Sequence, residues 1–291
     1  MPTPSAVKIH DSYSTAPRPL SASDAPALHQ MAVAVGWPHR PEDMDALLRL
    51  GQGYLANDEI GRPIGSGMVF AHSPELAMIG MMMTHPKLQA GGLGDHILTA
   101  LMADAGTARL RLNATRAAHR LYRNAGFVDQ GVVHQYQGIL RGALPAQGAG
   151  IRPATAADFA ALAELDLATF GAPRPALLDW LWRVSTSVVL TQQGTVTGFA
   201  MASRFGRGQV IGPLSAPSEG EAIALIAHLA APFEGRFVRL DADARHTELG
   251  AALNAHGLLT YDRVFPMTRG GASGPEAAPD RVYALASHTL G

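Results

Sequence analysis

Apolar positions along the chain fall into two alternating rhythms. Ser21–Asp24 reads as a helix start, followed by mixed apolar positions over Ala25–Val35, and Pro41–Leu50 reads as a second short helix. Gly53–Ala56 and Ile64–Ala71 read as strands across the polar turn NDEIGRP, and Leu76–Thr84 is a nearly unbroken apolar strand. Leu93, Ile97, Leu98, Leu101 and Met102 give Gly92–Ala105 a helical period. Arg109–Asn113 then reads as a strand and Arg116–Ala125 as a helix. Phe127–Val133 and Gln135–Leu140 read as a closing strand pair.

The same grammar returns further on. Helices are expected at Ala157–Thr169, Ala176–Val184, Glu219–Leu229 and Thr247–His256. Strands are expected at Val188–Thr191, Thr197–Phe205, Gln209–Leu214, Phe237–Asp241 and Leu258–Met267. Local spelling repeats too: LRLNAT from Leu110 parallels VRLDAD from Val238, and NAGF from Asn124 parallels NAHGL from Asn254. An internal duplication of a mixed α/β unit explains both levels of repetition. The break between copies is the Gly- and Pro-rich stretch around residues 143–150. The expected organisation is a flexible tail over 1–18, a first domain over 19–142, a linker over 143–150, a second domain over 151–270 and a tail over 271–291.

Bulk composition narrows the function. With 291 residues and 47% hydrophobic residues, each half can bury its own core. The 23 basic and 24 acidic side chains nearly cancel, which argues against a nucleic-acid or anionic-membrane partner. No run of about 18 apolar residues is present, and the first twenty lack a signal peptide's apolar segment, so a cytoplasmic protein is expected. The absence of cysteine removes disulfides, thiolate catalysis and cysteine-bound zinc. No HExxH or close carboxylate–histidine cluster occurs, so no metal is expected.

The chemistry gathers at QAGGLG, Gln89–Gly94, between an expected strand and an expected helix. A helix start offers unpaired N–H groups and a partial positive charge. Glycine lets an anion approach because no Cβ intervenes. A pyrophosphate cradle and a plain tight connection both fit. Gly94 is followed by Asp95 and His96, which excludes a P-loop, and Ile97 stands where a dinucleotide fingerprint needs glycine.

A second motif, LYRNAGF over Leu121–Phe127, places Tyr122 on a helix four residues before Gly126, a suitable left-handed cap. The pair Gln89-x-x-Gly92-x-Gly94 and Leu121-Tyr122-x-x-x-Gly126-Phe127 resembles the GNAT superfamily of acetyl-CoA-dependent N-acetyltransferases, with Thr84-His-Pro86 matching the strand exit before it. GWPHRPEDM over Gly36–Met44, together with the tandem layout, is similar to a subgroup in which a catalytic GNAT half precedes a diverged one.

That resemblance implies two tandem GNAT-like α/β (α+β) domains. Each would have a mixed, mostly antiparallel twisted sheet with a splayed central parallel pair, flanked by helices. It implies acetyl-CoA as co-substrate, held by the main chain of Met82, Met83 and Thr84 and by the turn Gln89, Ala90, Gly91, Gly92, Leu93, Gly94 and Asp95, with Thr115 nearby. Tyr122 would protonate the leaving thiolate. Trp37, His39 and Asp43 would border an acceptor amine, carried by a small molecule or peptide. His39, Asp43, His72, His85 and His134 all stay open as the general base. In the second half, IGPLSAP over Ile211–Pro217 replaces the glycine turn and Leu253 stands at the tyrosine position, so no acetyl transfer is expected there. Asp241 and Asp243, at a strand end, could attract a cationic amine, and RFGRGQ over Arg204–Gln209 could bind phosphate. A non-catalytic CoA-binding sensor and a scaffold stay open as alternatives, and the protein is expected as a monomer or homodimer.

Overall fold

The computed structural model describes residues 8–10, 13–89, 91–106, 108–146, 150–270 and 278–291. Its first half contains β1 (Lys8–His10), β2 (Tyr13–Thr15), β3 (Arg18–Pro19), α1 (Ala25–Ala34), α2 (Pro41–Leu50), β4 (Gln52–Asn57), β5 (Pro63–Ser73) and β6 (Leu76–Thr84). Next come α3 (Leu93–Asp104), β7 (Arg109–Ala114), α4 (His119–Asn124), β8 (Val128–Asp129) and β9 (Val133–Ile139). The second half contains β10 (Ile151–Pro153), α5 (Phe159–Phe170), α6 (Pro175–Val184), β11 (Ser185–Gln192), β12 (Thr195–Phe205) and β13 (Gly208–Ser215). It ends with α7 (Glu219–Ala230), β14 (Phe237–Asp243), α8 (Thr247–Ala255), β15 (Leu259–Arg269) and β16 (Val282–Ala284).

The two halves open on the same device. Arg18 pairs with Asp24, whose carboxylate also accepts the Ser21 N–H; Arg152 pairs with Asp158, whose carboxylate accepts the Thr155 N–H. Both arrangements are capping boxes that turn a short strand into a helix. The spelling RPLSASD and RPATAAD carries it, a further line of the internal repeat.

Apart from the β1–β2 hairpin, the described strands form one sheet of fourteen, in the order β10-β11-β12-β13-β14-β9-β15-β7-β6-β5-β4-β3, with β16 beside β13 and β8 beside β15. The halves exchange their last long strands. β9 of the first half runs antiparallel to β14 of the second from Val133 to Ile139. β15 of the second half pairs with β9 through Leu259–Val264 and with β7 through Phe265–Arg269. The closing pair expected within the first half therefore does not form, since β8 and β9 find their partners in the second. Alternation decides which face of a strand is apolar, and that is satisfied equally by either half's sheet edge. Two expected sheets thereby become one.

Three apolar cores lie against this sheet. One packs α3 and α4 on the first half's strands, and one packs α7 and α8 on the second half's. The third joins the halves: Leu28, Met31 and Met44 meet Leu177, Leu181 and Phe199 there. The ends depart from the expected tails. Residues 8–10 pair with 13–15, and β3 joins the sheet. Residues 278–291 form a strap: β16 pairs with β13, Ala286 and Leu290 enter the shared core, and buried Arg174 donates to the carbonyls of Leu290 and Gly291. Arg174 also grips both carboxylate oxygens of buried Asp166, which supplies its counter-charge. Among the described residues, no helix is long and apolar enough to cross a membrane.

Candidate active site

β6 and β7 are parallel neighbours only at Leu76–Met78 and Arg109–Arg111; beyond that they part. On its other side, β6 slips register against β5. Ser66 faces Met83 and Met68 faces Gly80, so Met81 and Met82 together oppose Gly67. This is a β-bulge, and Met81 takes φ of 51°, a conformation L-residues rarely adopt. The buried hydroxyl of Ser66 donates to the Met81 carbonyl at 3.0 Å, satisfying a group the bulge removes from the ladder.

After β6 the chain turns through Pro86–Leu88 into α3. Gly92 is the N-cap with φ of 83°, a left-handed conformation that glycine adopts without steric cost. The first helical bond is His96 N–H to the Gly92 carbonyl. The amides of Leu93, Gly94 and Asp95 thus open the helix before its internal ladder begins. Gly92 and Asp95 are exposed and Gly94 is half-buried, while the Leu93 side chain is core and only its amide faces the turn. Gln89 donates to the Thr84 carbonyl at 3.4 Å, tying turn to strand exit. Gly91 is half-buried beside them; Ala90 lies outside the described residues. Met83 is a buried core side chain, so only its main chain is available to a ligand.

The parting strands open into a cleft of about 520 Å³. Met81 and Met82 line it from β6, Asn113 from β7, Thr115 from the following loop and Tyr122 from α4. Tyr122 is 5% exposed and packs edge-on to Phe127, with ring centroids 5.9 Å apart. Burial raises its phenol above the ordinary tyrosine range, so it is protonated at neutral pH.

The opposite wall comes from the α1–α2 loop and from the second half. Trp37 and His39 line it, and His39 lies 5.8 Å from the Trp37 ring and 5.2 Å from Phe205. Its Nδ1 is buried without a hydrogen-bond partner. Burial, Arg239 and His288 lower its imidazole to about 4 against the opposing pull of Asp43, so it is neutral at pH 7. Asp43 does not reach the cleft; its carboxylate caps α2 at the Arg40 N–H and pairs with the Arg40 guanidinium at 2.7 Å. Nor do the other histidines considered as base. His72 packs on Phe170, His85 accepts from the Lys87 N–H, and His134 bonds the Tyr136 hydroxyl.

Sequence reasoning missed the strap. Ser287, His288 and Thr289 form a wall of the cleft. Asn113 donates to the His288 carbonyl at 2.9 Å, and Gly80 lets the strap approach: a Cβ there would stand 2.6 Å from Thr289. Arg239 also lines the cleft and binds both oxygens of Asp241. Asp241 is buried and so is not open to a cationic amine. Desolvation opposes its charge, but His288 and Arg239 overcome that and hold its carboxyl well below the usual range. Asp243 pairs with Arg245. Of RFGRGQ, Phe205, Gly206 and Arg207 line the cleft. Neither motif nor spacing marks the strap; the repeat ends before it.

The second half repeats the splay and closes it. β13 and β14 pair only at Gln209–Ile211 and Val238–Leu240. Where they part, β16 pairs with Leu214 and Ser215, and the Leu285 N–H donates to the Asp241 carbonyl. The helix start is occupied as well: Ser218 caps α7, and Glu219 accepts the Leu249 N–H at the start of α8. Among the described residues, no group of three or more His, Asp or Glu side chains is placed to hold a metal ion.

Family models described as Acetyltransferase (GNAT) domain match the chain twice, over residues 50–129 and 162–284. A Bacillus subtilis (strain 168) protein named as an uncharacterized N-acetyltransferase, YitH, is 29% identical over 274 residues, covering 88% of this chain and 91% of that one. Among solved structures, a putative acetyltransferase from Pyrococcus horikoshii superposes with a TM-score of 0.78 at 20% identity, covering 98% of both chains. A tandem GNAT protein from the clavulanic acid biosynthesis pathway gives 0.60 at 15% identity, covering 89% of this chain and 99% of that one. Matched once in each half and sharing its fold with a tandem relative, the chain belongs to the GNAT acetyltransferases, as an acyltransferase with two GNAT domains in tandem.

Proposed function

We propose that the protein moves an acetyl group from acetyl-CoA to a primary amine of a small molecule or peptide, at a single site in the first half. The observation that carries this reading is the meeting, on one bulged and parting strand pair, of an open helix start and a buried phenol. The amides from Gly92 to Asp95 suit the diphosphate of CoA, because unpaired N–H groups and the helix dipole both favour an anion there. The pantetheine arm can add to β6 as a strand, taking main-chain groups that β7 leaves free. This explains side chains as plain as Met82 and Met83: recognition falls on the backbone.

The reaction is attack by a neutral amine on the thioester carbonyl. The C–N bond forms and the C–S bond breaks. The departing thiolate takes a proton from Tyr122, which burial keeps protonated. The same desolvation penalises a free thiolate beside it and so favours its protonation. Trp37 and His39 border the acceptor. The second half does not transfer acetyl groups: its gap holds β16, Glu219 and Glu221 bring negative charge to its helix start, and Leu253 replaces the tyrosine.

Thermal melting with acetyl-CoA and free-thiol release with a panel of amines test this reading. At a hundredfold excess over Kd, acetyl-CoA should stabilise the protein by about 2.7 kcal/mol. Gly92→Pro, which cannot adopt a positive φ, should abolish that stabilisation. Tyr122→Phe should keep it while lowering turnover by roughly a hundredfold. Unchanged turnover in Tyr122→Phe across pH would rule out the acid, and no melting shift in the wild type would rule out the cofactor.

A further inference from the structure

A primary amine is an ammonium at neutral pH and must lose a proton before it can attack. β6 offers no titratable side chain from Leu76 to Thr84. The other cleft-lining groups that can take a proton are His39, Asp262 and His288. Asp262 is exposed, and its carboxylate accepts the Arg263 N–H. His39 carries a poor proton affinity, lowered to about 4 chiefly by burial. His288 differs from both because a buried carboxylate backs it: its Nε2 lies 3.3 Å from Asp241 Oδ1.

Resting on the acetyltransferase reading above, we propose that His288 is the general base of the first half's reaction, supplied by the strap and oriented by Asp241 of the second half. Its main chain is tied to the catalytic half through Asn113, and its neighbour Thr289 abuts Gly80 beside the bulge. Nε2 is buried against the Asp241 carboxylate, in ion-pair contact at 3.3 Å without a hydrogen bond, while 21% of the side chain is exposed. The neighbouring Asp241 charge favours the tautomer with the proton on Nε2, which leaves Nδ1 as the accepting nitrogen. The groups facing His288 are Asp241 and Arg239 on β14 and His39 on the α1–α2 loop; Arg207, Asp262 and Tyr122 share the cleft. Arg239 Nη2 donates to Nδ1 at 3.4 Å, a long bond that the substrate ammonium displaces in this proposal, and the arginine's charge is largely met by its two-point bond to Asp241.

The protons balance. Nδ1 takes one from the ammonium and releases it to solvent after turnover. The second leaves the nitrogen as the C–S bond breaks and restores the phenol that protonated the thiolate. The net products are the amide, CoA thiol and one proton. This role also gives the non-transferring half a function: Asp241 and Arg239 sit on its β14, and the strap that closes its gap delivers the base to the other half.

The test is thiol release against pH for the wild type, His288→Gln and His288→Ala. His288→Gln should lower turnover roughly a hundredfold at pH 7, with the deficit shrinking as pH rises and the amine deprotonates unaided. His288→Ala should regain turnover when imidazole is added. The acetyl-CoA melting shift should be intact in both variants. A deficit constant across pH and insensitive to imidazole would assign His288 a structural role and overturn the proposal, as would wild-type turnover in either variant. If the wild type keeps its melting shift but releases thiol with no amine, the transferase reading itself falls and the base with it.

Discussion

Two histidines held neutral make the protein's stability depend on pH in a definite window. Burial lowers both His39 and His72 to about 4, against about 6.5 for an unfolded chain. Between those values the unfolded state binds protons that the folded state refuses, so stability rises with pH there. The contribution is whole above pH 6.5, declines as pH falls, and is spent by pH 4. Replacing both with glutamine should remove the uptake of up to two protons on unfolding across this window, seen as a flatter plot of urea-unfolding free energy against pH. The same steepness in the double variant would mean that other groups carry the dependence. Asp241 acts lower down: its depressed carboxyl contributes stability above the unfolded value of about 3.9, lost as pH falls toward its folded value.

Among the elements, the strap links structure to function. It passes so close to β13 that a Cβ on Gly212 would collide with the Leu285 carbonyl. Gly212→Ala should therefore push β16 from its place and destabilise the fold by about 1–3 kcal/mol in urea titrations. Because His288 and Thr289 follow on the same segment, turnover should fall too. The acetyl-CoA melting shift should persist, since the α3 start is built from other residues. A variant that loses the melting shift but keeps its turnover would contradict this separation of binding from proton transfer. The element boundaries themselves were mostly readable: α2 over Pro41–Leu50 and β6 over Leu76–Thr84 coincide with the expected spans. Proline at a helix start and an unbroken apolar strand are local signals, and they act locally.

At the scale of the whole molecule, the exchanged strands and the shared core tie the halves into one cooperative body. β9 and β15 each lie in the other half's territory, and α1, α2, α5 and α6 meet in one apolar layer. Calorimetry should show one unfolding transition with equal calorimetric and van't Hoff enthalpies; two separate transitions would mean that the halves unfold independently. The sequence alone determined the α/β grammar, the duplication, the glycine turn at Gly92 and the tyrosine beside the cleft, because each rests on periodicity, turn chemistry or spacing within a few residues. It left open which half each closing strand joins, since alternation sets a strand's face and not its neighbour. It also could not reveal that residues near the end of the chain wall the cleft of the first half. Asp43 and Asp241 read as free carboxylates until their arginine partners were in view, and His288 carried no motif at all. Only tertiary packing decides such pairings, because burial and the distance between remote residues are properties of the folded chain.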